Sequence, residues 1–140
     1  MIHKLSAVSF RAYGRIIYYP QKNRKGTKRN LWRVVFKENE RLGWRIAYLI
    51  VRDKAIKRLE KHPFSYESFE PVRGKSLLFV TRKKDLKTLK CFLLDQPIIL
   101  NKGIWHGIVT LGWETEIKIT ENARVSCVYW PLKEKLTTLF

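Results

Sequence analysis

Apolar and polar side chains run close to a two-residue repeat along much of the chain. Trp44-Arg45-Ile46-Ala47-Tyr48-Leu49-Ile50-Val51 and Glu116-Ile117-Lys118-Ile119 are the clearest stretches. A period of two belongs to half-buried strands, and no stripe of 3.6-residue period is sustained long enough to argue for a long helix. Further strands are predicted over residues 15–19, 31–37, 55–61, 76–81, 89–94, 104–111 and 124–129. Turn chemistry separates them: the cation-rich, Gly-containing connection 23–30, Arg73-Gly74-Lys75 and Asn101-Lys102-Gly103. Only residues 6–13 invite a helix. Ser6 is an N-cap residue, Val8 and Ala12 share a face flanked by Phe10, and Gly14 can end the turn. About nine short strands with one short N-terminal helix predict an all-β barrel or flattened sandwich. With no repeat, linker or low-complexity tract, residues 1–140 read as a single domain.

Composition agrees with a folded domain. A chain of 140 residues buries about two-thirds of its unfolded surface, enough for a core without disulfides or a structural metal. Hydrophobic residues at 45% and aromatics at 13% exclude a disordered basic tail. No apolar run reaches the roughly 18 residues of a membrane helix, and the opening MIHKLSAVSFRAYG lacks the apolar centre of a signal peptide. A soluble, cytoplasmic protein without membrane association is therefore expected. Cys91 and Cys127 lie in apolar runs without metal-ligand spacing and are expected to be buried, inert thiols.

Charge changes the picture in one respect. Lys and Arg number 29 against 12 Asp and Glu, a formal net charge of +17. The cations occur on almost every predicted strand, and no helix-turn-helix, zinc-finger or RRM signature accompanies them. The expectation is non-specific adhesion to polyanions at low salt, not a specific nucleic-acid reader.

Two short elements can carry chemistry. In Leu59-Glu60-Lys61-His62-Pro63, a strand period points Glu60 and His62 to one face, where a carboxylate and an imidazole can pass a proton or ligate a metal. In Gly103-Ile104-Trp105-His106-Gly107, Ile104 and His106 share a face and Trp105 takes the other. His106 can then look into a barrel mouth while Trp105 packs outside. Read alone, each motif fits equally a surface ion pair or a satisfied core histidine.

Order and spacing add a resemblance. Leu59-Glu60-Lys61-His62-Pro63, Phe69-Glu70-Pro71, Gly74, Asp85-Leu86-Lys87-Thr88-Leu89-Lys90-Cys91-Phe92 and Gly103-Ile104-Trp105-His106 resemble the ureidoglycolate lyase (ureidoglycolate hydrolase) family of the cupin superfamily. Its pattern runs L-E-R-H-P, F-x-P, Gly, D-L-x-x-L-x-A-F and G-x-W-H. Leu5-Ser6 and Phe10 to Ile17 are similar to the family's opening, so the resemblance covers residues 4–111.

The resemblance implies a double-stranded β-helix barrel, a homodimer, and release of urea and glyoxylate from (S)-ureidoglycolate, or a related reaction on a small hydroxy acid. It implies Glu60, His62 and His106 as the catalytic residues. The substrate carboxylate needs a cation, for which Lys61, Arg73 and Lys102 are the candidates by proximity in sequence, with Trp105 also beside the substrate. A divalent metal could draw on Glu60, His62 and His106, an incomplete ligand set. The chain has Asn101 and Gly107 where family members often carry further histidines, and residues 124–130 hold no acid where the family is typically acidic. The alternative is therefore a non-catalytic cupin-like barrel that binds a small anionic metabolite or sugar acid.

Overall fold

A computed structural model describes residues 1–26 and 28–137. Thr27, inside the expected connection 23–30, and the last three positions of the expected domain lie outside the described residues. The described chain forms strands β1 (Ile2–His3), β2 (Gly14–Ile16), β3 (Trp44–Val51), β4 (Ala55–Lys61), β5 (Glu67–Arg73), β6 (Ser76–Thr81), β7 (Lys90–Leu93), β8 (Ile98–Leu100), β9 (Trp105–Thr110), β10 (Thr115–Asn122) and β11 (Val128–Thr137). They assemble into one sheet of order β1-β7-β6-β9-β4-β11 and a second of order β2-β8-β5-β10-β3. The all-β reading holds.

Alternation builds the core. Leu78, Val80 and Phe92 of the first sheet meet Phe69, Ile98, Leu100, Ile117 and Ile119 of the second in one buried cluster. Each such side chain contributes about 1.5–3 kcal/mol relative to exposure. The opposite face of the first sheet carries a second cluster of Ile56, Leu59, Leu77, Phe79, Trp105 and Val109, roofed by Trp130, Leu132 and Leu136 from β11. The barrel interior is thus packed solid over most of its length, with buried polar side chains at its ends: Ser76, Thr110 and Thr115 at one, and His62, Glu67 and His106 at the other.

The expected N-terminal helix is absent: residues 7–13 are successive turns. The Ser6 signal is genuine, since Ser9 N donates to Ser6 Oγ at 3.0 Å, but the Ser9 hydroxyl then turns back to Lys4 O at 2.7 Å. An eight-residue helix has little stability of its own. Here the segment instead wraps to bury Phe10 completely, its ring 5.2 Å edge-on from Phe92. Gly14 then passes so close to β8 that a Cβ would stand 1.8 Å from the Ile99 carbonyl oxygen. The strand expected over 31–37 is also absent. Trp32 and Val34 face solvent there, while Phe36 packs on Tyr66 with centroids 4.8 Å apart.

Candidate active site

Three elements meet at the end of the barrel that holds the histidines. Glu60 on β4 and His106 on β9 are cross-strand partners, the one register position at which these strands pair. Beyond it, toward Ile56 and Ile108, the strands border a cleft of about 570 Å³ whose wall includes Glu60, His106, Lys57 and Arg58. His62 follows β4 directly, two positions after Glu60, so the strand period brings both to the same side. From the opposite sheet Glu67, the first residue of β5, reaches the two imidazoles.

The contacts define the protons. His62 Nε2 lies 2.7 Å from Glu67 Oε2, and both side chains are buried. His62 Nδ1 lies 3.3 Å from the Ser126 carbonyl oxygen. The carboxylate against Nε2 and the carbonyl oxygen facing Nδ1 both favour the charged ring, so His62 is held as an imidazolium at neutral pH. His106 differs. Its Nδ1 donates to Ile104 O at 2.9 Å, while Nε2, buried and without a hydrogen-bond partner, faces Glu60 Oε1 at 3.7 Å and Glu67 Oε2 at 4.0 Å. The two imidazole centroids are 5.2 Å apart, and Phe69 closes the inner side of His106 at 5.8 Å.

Electrostatics follow from this arrangement. Burial alone would pull the His62 pKa down. The hydrogen bond and charge of Glu67, the charge of Glu60 and the Ser126 carbonyl outweigh it and raise the value from 6.5 to about 9. Burial likewise pushes the Glu67 carboxyl up, but the hydrogen bond from His62 and the neighbouring imidazoles win and hold it below its ordinary value.

A raised histidine pKa stabilises the fold fully below the unfolded value of 6.5 and loses that contribution as pH rises through about 9. We expect the unfolding free energy to fall by about 3 kcal/mol between pH 6 and pH 10 on this account. Chemical denaturation across that range checks it, with His62→Gln as the control in which the fall should flatten. An equal fall in the variant contradicts the assignment.

Not every expected residue reaches this cluster. Glu60, His62 and His106 converge as described. Lys61 points to the other face of β4, its ammonium 4.7 Å from the Trp105 ring centroid, and Trp105 is buried in the outer cluster 5.7 Å from Trp130. Arg73 sits at the far end of β5 from Glu67 and pairs with Glu116 at 3.3 Å. Lys102 is committed to Glu38 and Glu40 at 3.6 and 3.8 Å, although its neighbour Gly103 donates its N–H to His62 O at 2.9 Å. The cations on the cleft wall are instead Lys57 and Arg58, the latter stacked 4.0 Å over Tyr129. Cys91 is buried, which pushes its thiol up to about 11. Cys127 corrects the expectation of a buried thiol: it is exposed, with Sγ 3.5 Å from His62 Nδ1.

For a metal, the expected trio of Glu60, His62 and His106 gives way to His62, Glu67 and His106, whose ligand atoms lie within 4.8 Å of one another. Both imidazoles are anchored through Nδ1 on backbone carbonyls, which leaves Nε2 of each turned toward Glu67. Such outer hydrogen bonds are how metal-binding histidines are oriented. The trio therefore fits a divalent cation, with two nitrogens and one carboxylate.

Comparison with known proteins bears on the chemistry. The family model described as Ureidoglycolate lyase matches residues 1–128. No curated protein matches the chain. Among solved structures, Bacillus subtilis oxalate decarboxylase OxdC is similar over 65% of this chain at 16% identity and a TM-score of 0.49. The chain spans 24% of the length of that protein. A dTDP sugar isomerase from Desulfovibrio desulfuricans is similar over 90% of this chain and 82% of its own, at 13% identity and a TM-score of 0.46.

Proposed function

Because the chain belongs to the ureidoglycolate lyase family, we propose that it cleaves ureidoglycolate, or a small hydroxy acid of the same carbinolamide type, at the cleft beside His106. The observation that carries this reading is the His106 Nε2 atom, buried, unpartnered and set between two carboxylates. A carbinolamide collapses when its hydroxyl proton is removed and its departing nitrogen is protonated. His106 Nε2 takes the hydroxyl proton, the oxygen lone pair forms the new C=O bond, and the C–N electron pair leaves with the urea nitrogen. The imidazolium so formed returns its proton to that nitrogen, so one group serves as base and then as acid. Glu60 and Glu67 stabilise the transient imidazolium, and the charge on His62 keeps Glu67 ionised without leaving the buried site net negative. Lys57 and Arg58 receive the substrate carboxylate at the cleft wall.

The Nδ1 anchoring of both histidines favours a second reading, in which His62, Glu67 and His106 hold a divalent cation. Such an ion would polarise the substrate oxygens as a Lewis acid. His106 is then a ligand, and Glu60 at the cleft is left to take the proton. Urea and glyoxylate release from racemic ureidoglycolate, with chelator or with added Mn²⁺, Ni²⁺ or Zn²⁺, separates the readings. Turnover in chelator supports the proton shuttle, and turnover only with metal supports the second. Wild-type protein that is inactive under every condition sinks both and leaves the non-catalytic anion-binding barrel.

A further inference from the structure

A second concavity shares no lining residue with the cleft at His106. It is a groove of about 580 Å³ between the N-terminal turns, β2 and the segment over 33–35. Three arginines line it: Arg11 from the turns, Arg15 from β2 and Arg33 from the covering segment. No Asp or Glu lines it, and none of the three guanidinium groups is ion-paired with a described residue. The placement of Arg15 is built into the backbone, because the close passage of Gly14 against the Ile99 carbonyl fixes Arg15 on the outer face of the second sheet, opposite Ile99.

Like charges gathered in a concavity repel each other, and the field they focus attracts anions. One guanidinium fork satisfies a carboxylate, whereas a phosphate monoester, with close to two charges and three terminal oxygens, takes two or three. The remaining wall is largely apolar, from Ala7, Ile16, Tyr18, Pro20, Val34 and Val35, with the polar side chain of Asn101 beside them. The volume lies within the roughly 300–1,000 Å³ of small-molecule sites. We propose that this groove binds a small phosphate monoester carrying an apolar or aromatic body. The three arginines clasp the phosphate, and Tyr18 and the valines receive the body. The proposal stands independently of the reaction at His106.

The test is calorimetric titration with phenyl phosphate, inorganic phosphate and benzoate at about 150 mM salt, where bulk charge attraction is screened beyond about 8 Å. Phenyl phosphate is expected to bind saturably with one site per chain, and benzoate at least about tenfold more weakly. Arg15→Gln/Arg33→Gln should weaken phenyl phosphate by about tenfold or more per arginine. Lys133→Gln/Lys135→Gln removes the same charge from exposed positions on β11 and should leave binding unchanged. If the arginine double variant does not fold, Arg33→Gln alone decides, because Arg33 is exposed and lies outside any strand. Equal weakening in the arginine and lysine variants overturns the proposal by reducing the effect to net charge. Absence of saturable phenyl phosphate binding also overturns it, as does tight binding of a duplex oligonucleotide while phenyl phosphate stays unbound.

Discussion

His106→Ala should lower kcat for urea release by roughly 10²- to 10⁴-fold, the usual loss when a positioned acid–base group is removed. The fold should survive. His106 makes one hydrogen bond, to Ile104 O, and losing it costs about 1 kcal/mol. Removing the ring also opens space beside Phe69, a further packing loss within the usual range for single substitutions. KM should change little, because Lys57 and Arg58 on the cleft wall are untouched. Steady-state kinetics on protein checked by circular dichroism reads the split. A histidine that merely fills space would leave kcat of the folded fraction unaltered, and that result would remove His106 from the reaction.

The second large effect concerns stability. Glu67→Gln should destabilise the protein by about 2–3 kcal/mol at neutral pH, because without its counter-ion the buried His62 ring goes neutral and the stabilisation carried by its raised pKa is lost. For a chain of 140 residues that is a fall in Tm of roughly 5–10 °C. The double variant His62→Gln/Glu67→Gln should lose less than the sum of the two single changes, since removing both charges deletes the desolvation penalty together with the attraction. Additive losses, or a Glu67→Gln effect below about 1 kcal/mol, would show that the pair is not held as described.

The candidate site was legible in part, and the boundary has physical causes. Glu60 lies on β4, His62 directly after it and His106 on β9, so that Glu60 and His62 share a face follows from their two-residue spacing. The same rule sends Lys61, between Glu60 and His62, to the opposite face and onto Trp105, and nearness in sequence misled there. Glu67 escaped because β5 does not look like a strand: Glu67-Ser68-Phe69-Glu70-Pro71 is polar and carries a proline opposite Ile117, beside a register shift in β10. Once β5 is known, alternation from Phe69 places Glu67 inward at once.

Two other elements were obscured for related reasons. β8 is three residues long, too short to show a period. β11 runs on past Pro131 through Lys133, Glu134 and Lys135, tolerable because it is an edge strand of its sheet. The segment over 31–37 shows the reverse failure. Its apolar residues mimic a strand but cover the outside of the second sheet without joining it. The N-terminal cap signal at Ser6 was likewise sound locally, and the burial of Phe10 overruled it.

The account turns on the protonation of the buried pair, which leaves His106 Nε2 free for the substrate. Long-range ¹H–¹⁵N correlation spectra of the three imidazoles, recorded from pH 6 to pH 10, read this directly. The account predicts that His62 remains doubly protonated at pH 8 and titrates near 9, and that the neutral His106 ring carries its proton on Nδ1, facing Ile104 O. A His62 ring already neutral at pH 7, or a neutral His106 protonated on Nε2, would contradict it.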